Sequence, residues 1–243
     1  MRRRVVLAGG ALIVLALVGT AVARSGSRLS PQDPGTPAIV RLSGPRQSAG
    51  AGRGARPLLA VVGASFSAGV GAGNRRDAWP EDLGRRLGWR VAIDADRGAG
   101  YVNRGNGDRG PFSRLASQLD LGRLDPTAII IQGGHDDIGR PLSLIRDRVE
   151  RLVTEVHREA PHALLIVLSV FVRGKQPSTA AVATDRTIVA AARRADPGVV
   201  LVDPLAEHWH FPRTGDHLHP TAAGHRWIAR RLAVVLRERL PPS

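Results

Sequence analysis

The chain has no cysteine in its 243 residues. That excludes a disulfide framework, a thiolate metal site and a lipid-anchored cysteine at an export boundary, and it leaves cysteine usage silent about compartment. Lysine is nearly absent too: Lys175 is the only one, so almost every basic residue is arginine. Aromatic residues make up only 4% of the chain, and no arginine stripe alternates with rings on which bases would stack, so the formal charge of +14 is not that of a nucleic-acid site. The charge is also unevenly placed. Residues 1–56 hold nine arginines and one aspartate, a net of +8, which leaves +6 for residues 57–243. An arginine-rich, solvated surface accounts for that remainder. There is no internal repeat and no long apolar lid segment.

What is present begins with an address. Arg2, Arg3 and Arg4 precede a largely apolar run from Val5 to Ala23, and Ala21-Val22-Ala23 has the small-x-small pattern of a signal peptidase site. The expectation is a secretory signal, residues 1–23. Uncleaved, the run is long enough to span a bilayer with the arginines holding its start in the cytoplasm, so membrane attachment through residues 5–23 is the other outcome. Either one places the rest of the chain on the extracytoplasmic side, secreted or anchored. Residues 24–56 are rich in Gly, Pro, Ser and Arg with little apolar periodicity, and read as a flexible linker.

From Pro57 the chain alternates short apolar runs with helix-period segments. Leu58–Val62, Val91–Ala95, Ala128–Gln132, Ala163–Val170 and Val199–Asp203 are mostly continuous apolar runs, the pattern of parallel strands covered on both faces. Between them, Leu142, Ile145, Val149, Leu152, Val153 and Val156 share one helical face. Pro80 suits the first turn of another helix reaching about Leu87, and a last helix follows Pro220 with Ile228, Leu232, Val235 and Leu236 buried. The implied domain, residues 57–243, is a three-layer α/β/α sandwich with right-handed crossovers.

Reactive groups in such a sheet gather at the carboxyl ends of the strands. Gly63-Ala64-Ser65-Phe66-Ser67-Ala68-Gly69 follows the first strand, where a serine among small residues is exposed at a strand-to-helix turn. An ordinary turn with an N-cap serine explains the same residues, Ser67 being the better cap. A phosphate loop would need a Lys-Ser/Thr ending that is missing. Asp216-His217-Leu218-His219-Pro220 precedes the final helix. An Asp three residues ahead of a His can fold back to accept one ring N–H, leaving the other nitrogen to take a proton from a serine.

Together with Gly98-Ala99-Gly100-Tyr101 after the second strand and Gly133-Gly134-His135-Asp136-Asp137 after the third, these segments resemble, in order and spacing, the four sequence blocks of SGNH (GDSL-like) hydrolases. The resemblance covers residues 57–240. It implies a flavodoxin-like sheet of five parallel strands, with Ser65 as nucleophile and His219 as base held by Asp216. It also implies an oxyanion hole from the Ser65 N–H, the Gly98 N–H (or Gly100, since the Gly-x-Gly pair leaves the register open) and the side chain of Asp136. No cofactor or metal is implied. The expected function is that of an exported esterase acting on a lipid, acylated glycan or small-molecule ester, with a slight preference for a small acyl group. Acyl transfer to a sugar alcohol uses the same triad, and a non-catalytic glycan-binding or scaffolding protein on the same fold is the alternative from another class.

Two positions depart from the family pattern. Ala64 stands where many relatives have Asp, and Asp136 stands where an Asn amide usually donates to the oxyanion, which an ionised carboxylate cannot do. Other residues have plainer readings. His208, His210 and His217 make a conceivable zinc set without a fourth ligand. His225 reads as a helix-surface residue. Trp79, Trp89 and Trp227 read as packing residues, and Trp209 as the aromatic placed for substrate contact.

Overall fold

Strand β2, Leu58–Gly63, is buried at every residue, and so is β4, Ala128–Gln132. Side chains along a strand point alternately to its two faces, so a strand buried throughout must be covered on both sides. In the computed structural model, which describes residues 41–43, 56–174 and 176–240, that is what occurs. Leu58, Ala60 and Val62 enter one core with Ile129, Ile131 and Val167, while Leu59 and Val61 enter the other with Ile130, Ile166 and Leu168.

The parallel strands are β2, β3 (Arg90–Ala95), β4, β5 (Leu164–Leu168) and β6 (Val200–Val202). Their order across the sheet is β3-β2-β4-β5-β6, the doubly wound order in which the chain reverses direction at the first parallel strand. The five expected strands are therefore all present, each within two residues of its expected ends. A short strand that the sequence does not announce, β1 (Arg41–Ser43), pairs antiparallel with β3 at the edge, so three residues of the segment read as a linker join the sheet. The expected signal segment 1–23 and the rest of residues 24–55 lie outside the described residues. No helix among the described residues is long and apolar enough to cross a membrane.

Helices cover both faces. One layer holds α1 (Trp79–Leu87) and α6 (Ala222–Arg239), whose Trp79, Leu83, Ile228 and Leu232 are buried together. The other holds α2 (Phe112–Leu119), the short α3 (Leu121–Leu124), α4 (Leu142–Glu159) and α5 (Thr179–Ala195). In α4, Ile145, Val149, Leu152, Val153 and Val156 are buried as the periodicity predicts, while Leu142, in its first turn, is 43% exposed. Ser178 and Thr221 cap α5 and α6, each accepting a backbone N–H three residues on.

Candidate active site

Ser65 leaves the end of β2 on a tight turn rather than at the start of a helix. Ala68 N–H donates to Ala64 O, Gly69 N–H to Phe66 O and Val70 N–H to Ser65 O, and the next α-helix begins only at Trp79. This corrects the expected strand-to-helix turn. The coil is held from below: Ser67 Oγ donates to Gln132 Oε1 at 2.7 Å, and Ser67 N–H reaches the same oxygen at 3.2 Å. A Cβ at Gly63 would sit 2.2 Å from Ser67 Oγ, so glycine is what lets the serine tuck under the turn. Ser67 is thus a buried strut, and Ser65 is the hydroxyl left for chemistry.

His219 stands over Ser65, with Nε2 2.9 Å from Ser65 Oγ and Nδ1 2.5 Å from Asp216 Oδ2. The carboxylate accepts the Nδ1 hydrogen, which leaves the Nε2 lone pair facing the serine. The other oxygen, Asp216 Oδ1, accepts from Thr214 Oγ1 at 2.7 Å, Leu218 N–H at 2.9 Å and His219 N–H at 3.0 Å. Desolvation pushes this carboxyl up, but the hydrogen bonds from His219, Leu218 and Thr214 outweigh it and hold Asp216 well below the ordinary carboxylate range. A bend with His217 at φ 59° brings Asp216 back onto its own chain. A Cβ at Gly224 would lie 2.3 Å from Pro212 O, which explains the glycine in the first turn of α6 behind the motif.

The third segment follows β4. Asp137 is fully buried and accepts three backbone N–H groups, from Tyr101 at 2.7 Å, Val102 at 3.0 Å and Asn103 at 3.1 Å. It therefore fastens the loop after β3 to the loop after β4. A Cβ at Gly100 would fall within 2.6 Å of that carboxylate, so the second glycine of the Gly-x-Gly pair is there for close approach. The Gly100 N–H is spent on Asn103 O, whereas the N–H groups of Gly98 and Ser65 have no acceptor among the described residues. Asn103 Nδ2 donates to the Asp136 carbonyl, and Asn103 Oδ1 accepts from Arg140.

Asp136 itself is half-buried, and its carboxyl makes no hydrogen bond to another residue among those described. Burial pushes it up, with His135 and His219 pulling it down and Asp137 adding to the rise. Asp137 is also pushed up by burial, against the three N–H groups it accepts.

Several sequence expectations change here. His225 is not on the helix surface but fully buried: its Nδ1 accepts the Trp79 N–H at 3.2 Å and its Nε2 hydrogen goes to Val70 O at 3.0 Å. It ties α6 to the start of α1 and to the Ser65 turn, and burial pushes its pKa down. Trp209 is 5% exposed, packed against Phe171 and Trp227 with its indole N–H on Glu207, and so is a packing residue rather than a substrate contact. His208, His210 and His217 are each exposed, and no group of three metal-ligating side chains comes together among the described residues. Gln132 and Asn103 have no role legible in the sequence, because their part is to hold loops that only the sheet brings together.

The profile of the GDSL-like Lipase/Acylhydrolase family matches residues 61–227, which takes in the serine turn, both middle segments and the Asp-His segment. The chain belongs to that family. A GDSL lipase of Mycobacterium tuberculosis is 26% identical over 194 residues, covering 73% of this chain and 80% of the lipase. Among solved structures, a family two carbohydrate esterase from Cellvibrio japonicus superposes with a TM-score of 0.64 at 18% identity, over 75% of this chain and 61% of that one. The corresponding esterase from Clostridium thermocellum, solved with cellohexaose, gives 0.59 at 18% identity over 79% and 66%. The smaller TesA gives 0.61 at 21% identity over 75% of this chain and 99% of its own. At these identities the structural likeness is one of fold. The esterase spans only about two thirds of the two carbohydrate esterases, whereas it matches TesA nearly end to end. With the family match, the chain is a carboxylic ester hydrolase on the SGNH fold.

Proposed function

We propose that this esterase is an exported serine hydrolase in which Ser65 is the nucleophile, His219 the general base and Asp216 the group that holds the base. The observation that carries the reading is the unbroken hydrogen-bond line from Ser65 Oγ through both ring nitrogens of His219 to Asp216. Ser65 Oγ attacks the ester carbonyl while its proton passes to His219 Nε2. The resulting oxyanion is received by the Ser65 and Gly98 N–H groups, which have no acceptor among the described residues, with Asp136 beside them. His219 then protonates the departing alcohol. Water, deprotonated by the same nitrogen, attacks the acyl-serine, and the carboxylic acid leaves with Ser65 restored. A small acyl group fits a chain without a long apolar lid. Arg2–Arg4, the apolar run to Ala23 and Ala21-Val22-Ala23 support export.

A fluorophosphonate probe should add one label to the peptide containing Ser65, and Ser65→Ala should abolish labelling and ester hydrolysis together. Labelling at Ser67 instead would overturn the assignment. One observation favours a second reading, a binding protein on the same fold: the carboxyl at Asp136 where the family places an amide. Failure of every serine-directed probe would select it. Export is checked by protease accessibility on intact cells, and an N-terminus at Arg24 would mark release rather than anchoring.

A further inference from the structure

Beside the triad lies an open cleft of about 420 Å³ between the loop after β4 and the loop from β5 to α5. Its β5–α5 wall touches the segments that carry Ser65, Asp136 and His219. Phe171 stacks on Phe66, next to Ser65, at 4.4 Å and 6° between ring planes, and its carbonyl accepts from His135 Nδ1 at 2.9 Å. Arg173 Nη1 donates to the Asp216 carbonyl at 3.0 Å, Gly174 N–H donates to His217 O at 2.9 Å, and Arg213 Nη1 donates back to Gly174 O. The cleft is therefore joined to the loop that carries His219. That is the side on which a leaving alcohol must depart, because His219 Nε2 protonates it.

The lining has a definite chemistry. With its Nδ1 hydrogen on Phe171 O, a neutral His135 presents the Nε2 lone pair as an acceptor. Arg173 is exposed and keeps its Nε and Nη2 hydrogens, since only Nη1 is engaged. Gln176 has a donor and an acceptor with no partner among the described residues. Ser178 accepts the Ala181 N–H at 3.1 Å and retains a free O–H. Between these groups lie Ile138, Val172 and Ala181. A sugar has hydroxyls that both donate and accept, and C–H faces that rest on small apolar patches. A fatty acyl chain laid here would strip water from four polar side chains and return no hydrogen bond to any of them.

We propose that this cleft holds the alcohol half of the ester, that this half is a saccharide, and that Arg173 and Gln176 are the residues that select it. The inference rests on the serine-esterase reading above, since it needs His219 to deliver the leaving-group proton. It makes the preferred substrate an acylated glycan rather than a lipid ester.

The test compares three substrates with the full-length protein: a mono-O-acetylated disaccharide, 4-nitrophenyl acetate and 4-nitrophenyl palmitate. Gln176→Ala, which removes a side chain bonded to no catalytic segment, should lower kcat/KM on the disaccharide acetate about tenfold more than on 4-nitrophenyl acetate, through KM. Arg173→Ala should do the same to at least that extent, with partial recovery in Arg173→Lys. If both alanine variants leave the ratio of the two acetates unchanged, the cleft does not hold the sugar and the inference fails while the esterase reading stands. Equal losses on both acetates would reduce Arg173 to a support of the Asp216 loop. Faster turnover of the palmitate than of either acetate would overturn the saccharide assignment in favour of a lipid. A wild-type protein inert to all three would sink the serine-esterase reading and this inference with it.

Discussion

The corner of the site that carries Asp216 and His219 differs from the corner that carries Asp136 in how far the protein satisfies its own polar groups. Around Asp216, both carboxylate oxygens and both ring nitrogens of His219 have partners before any substrate arrives. At the other corner, Asp137 is saturated by three backbone N–H groups, yet its neighbour Asp136 has none from another residue, and the N–H groups of Ser65 and Gly98 face no acceptor. The difference follows from what each corner must do. A base has to be oriented in advance, because a misplaced imidazole loses proton transfer, whereas oxyanion donors must stay free until charge develops. A carboxyl among those donors is useful only while it keeps its proton.

The most severe way to test the finished corner is to remove its line of transfer. Ser65→Ala or His219→Ala should lower kcat by about 10⁴-fold or more with the fold retained, measured by turnover alongside circular dichroism. Asp216→Asn should also be costly, because the amide can present N–H to Nδ1 and turn the ring's lone pair away from the serine. Asp216 itself should not set the acid limb of activity. Its depressed pKa means that its contribution to stability is complete above about pH 4 and is lost only as pH falls further, towards the folded value.

The buried support of the second corner is tested by Asp137→Ala. One buried and two part-buried N–H groups would lose their acceptor, at a cost of about 3 kcal/mol, and the melting temperature should fall by about 6–12 °C for a domain of this size. Retention of the melting temperature would mean that the loop after β3 is held some other way. His225→Ala, behind the nucleophile turn, should cost about 2 kcal/mol by leaving the Trp79 N–H and Val70 O unpaired. Because burial depresses the His225 pKa, its contribution to stability is full above about pH 6.5 and is lost as pH falls through the folded value. The variant should therefore show a flatter acid-denaturation curve on that flank.

The smallest and most pointed effect is expected at Asp136. Burial raises its pKa, so its protonated form persists to higher pH than in an ordinary aspartate and is lost as pH rises through the folded value. In the proposed mechanism, its O–H while protonated would donate in place of the family's amide. Once ionised, it opposes the negative charge that develops on the oxyanion. Asp136→Asn should thus preserve activity at low pH and raise it several-fold once pH has risen through the Asp136 ionisation, by removing that loss. A wild-type profile that rises once and then stays flat into the alkaline range would rule out a protonated donor at Asp136.

The five parallel strands were legible because each is a continuous apolar run bounded by turn residues, and a sheet covered on both faces demands that pattern. The catalytic Asp-His pair was legible for a different reason: its three-residue spacing is local, and the bend that closes it lies within the motif. Other assignments failed where the outcome depended on distant chain. His225 sits in the first turn of α6 between Gly224 and Arg226, and only the approach of Trp79 and Val70 turns it into a buried link. Trp209 flanks the catalytic loop in sequence but is drawn inward by Phe171 and Trp227. The edge strand Arg41–Ser43 is too short, at three residues, for its pattern to announce it and exists by pairing with β3. Order along the chain and local hydrogen bonding thus determined the strands, the Ser65 turn and the Asp216–His219 bend. Which N–H groups stay uncommitted, which carboxyl is saturated and where the cleft lies were decided only by tertiary structure, because each depends on partners 30 or more residues away that the parallel sheet brings to one edge.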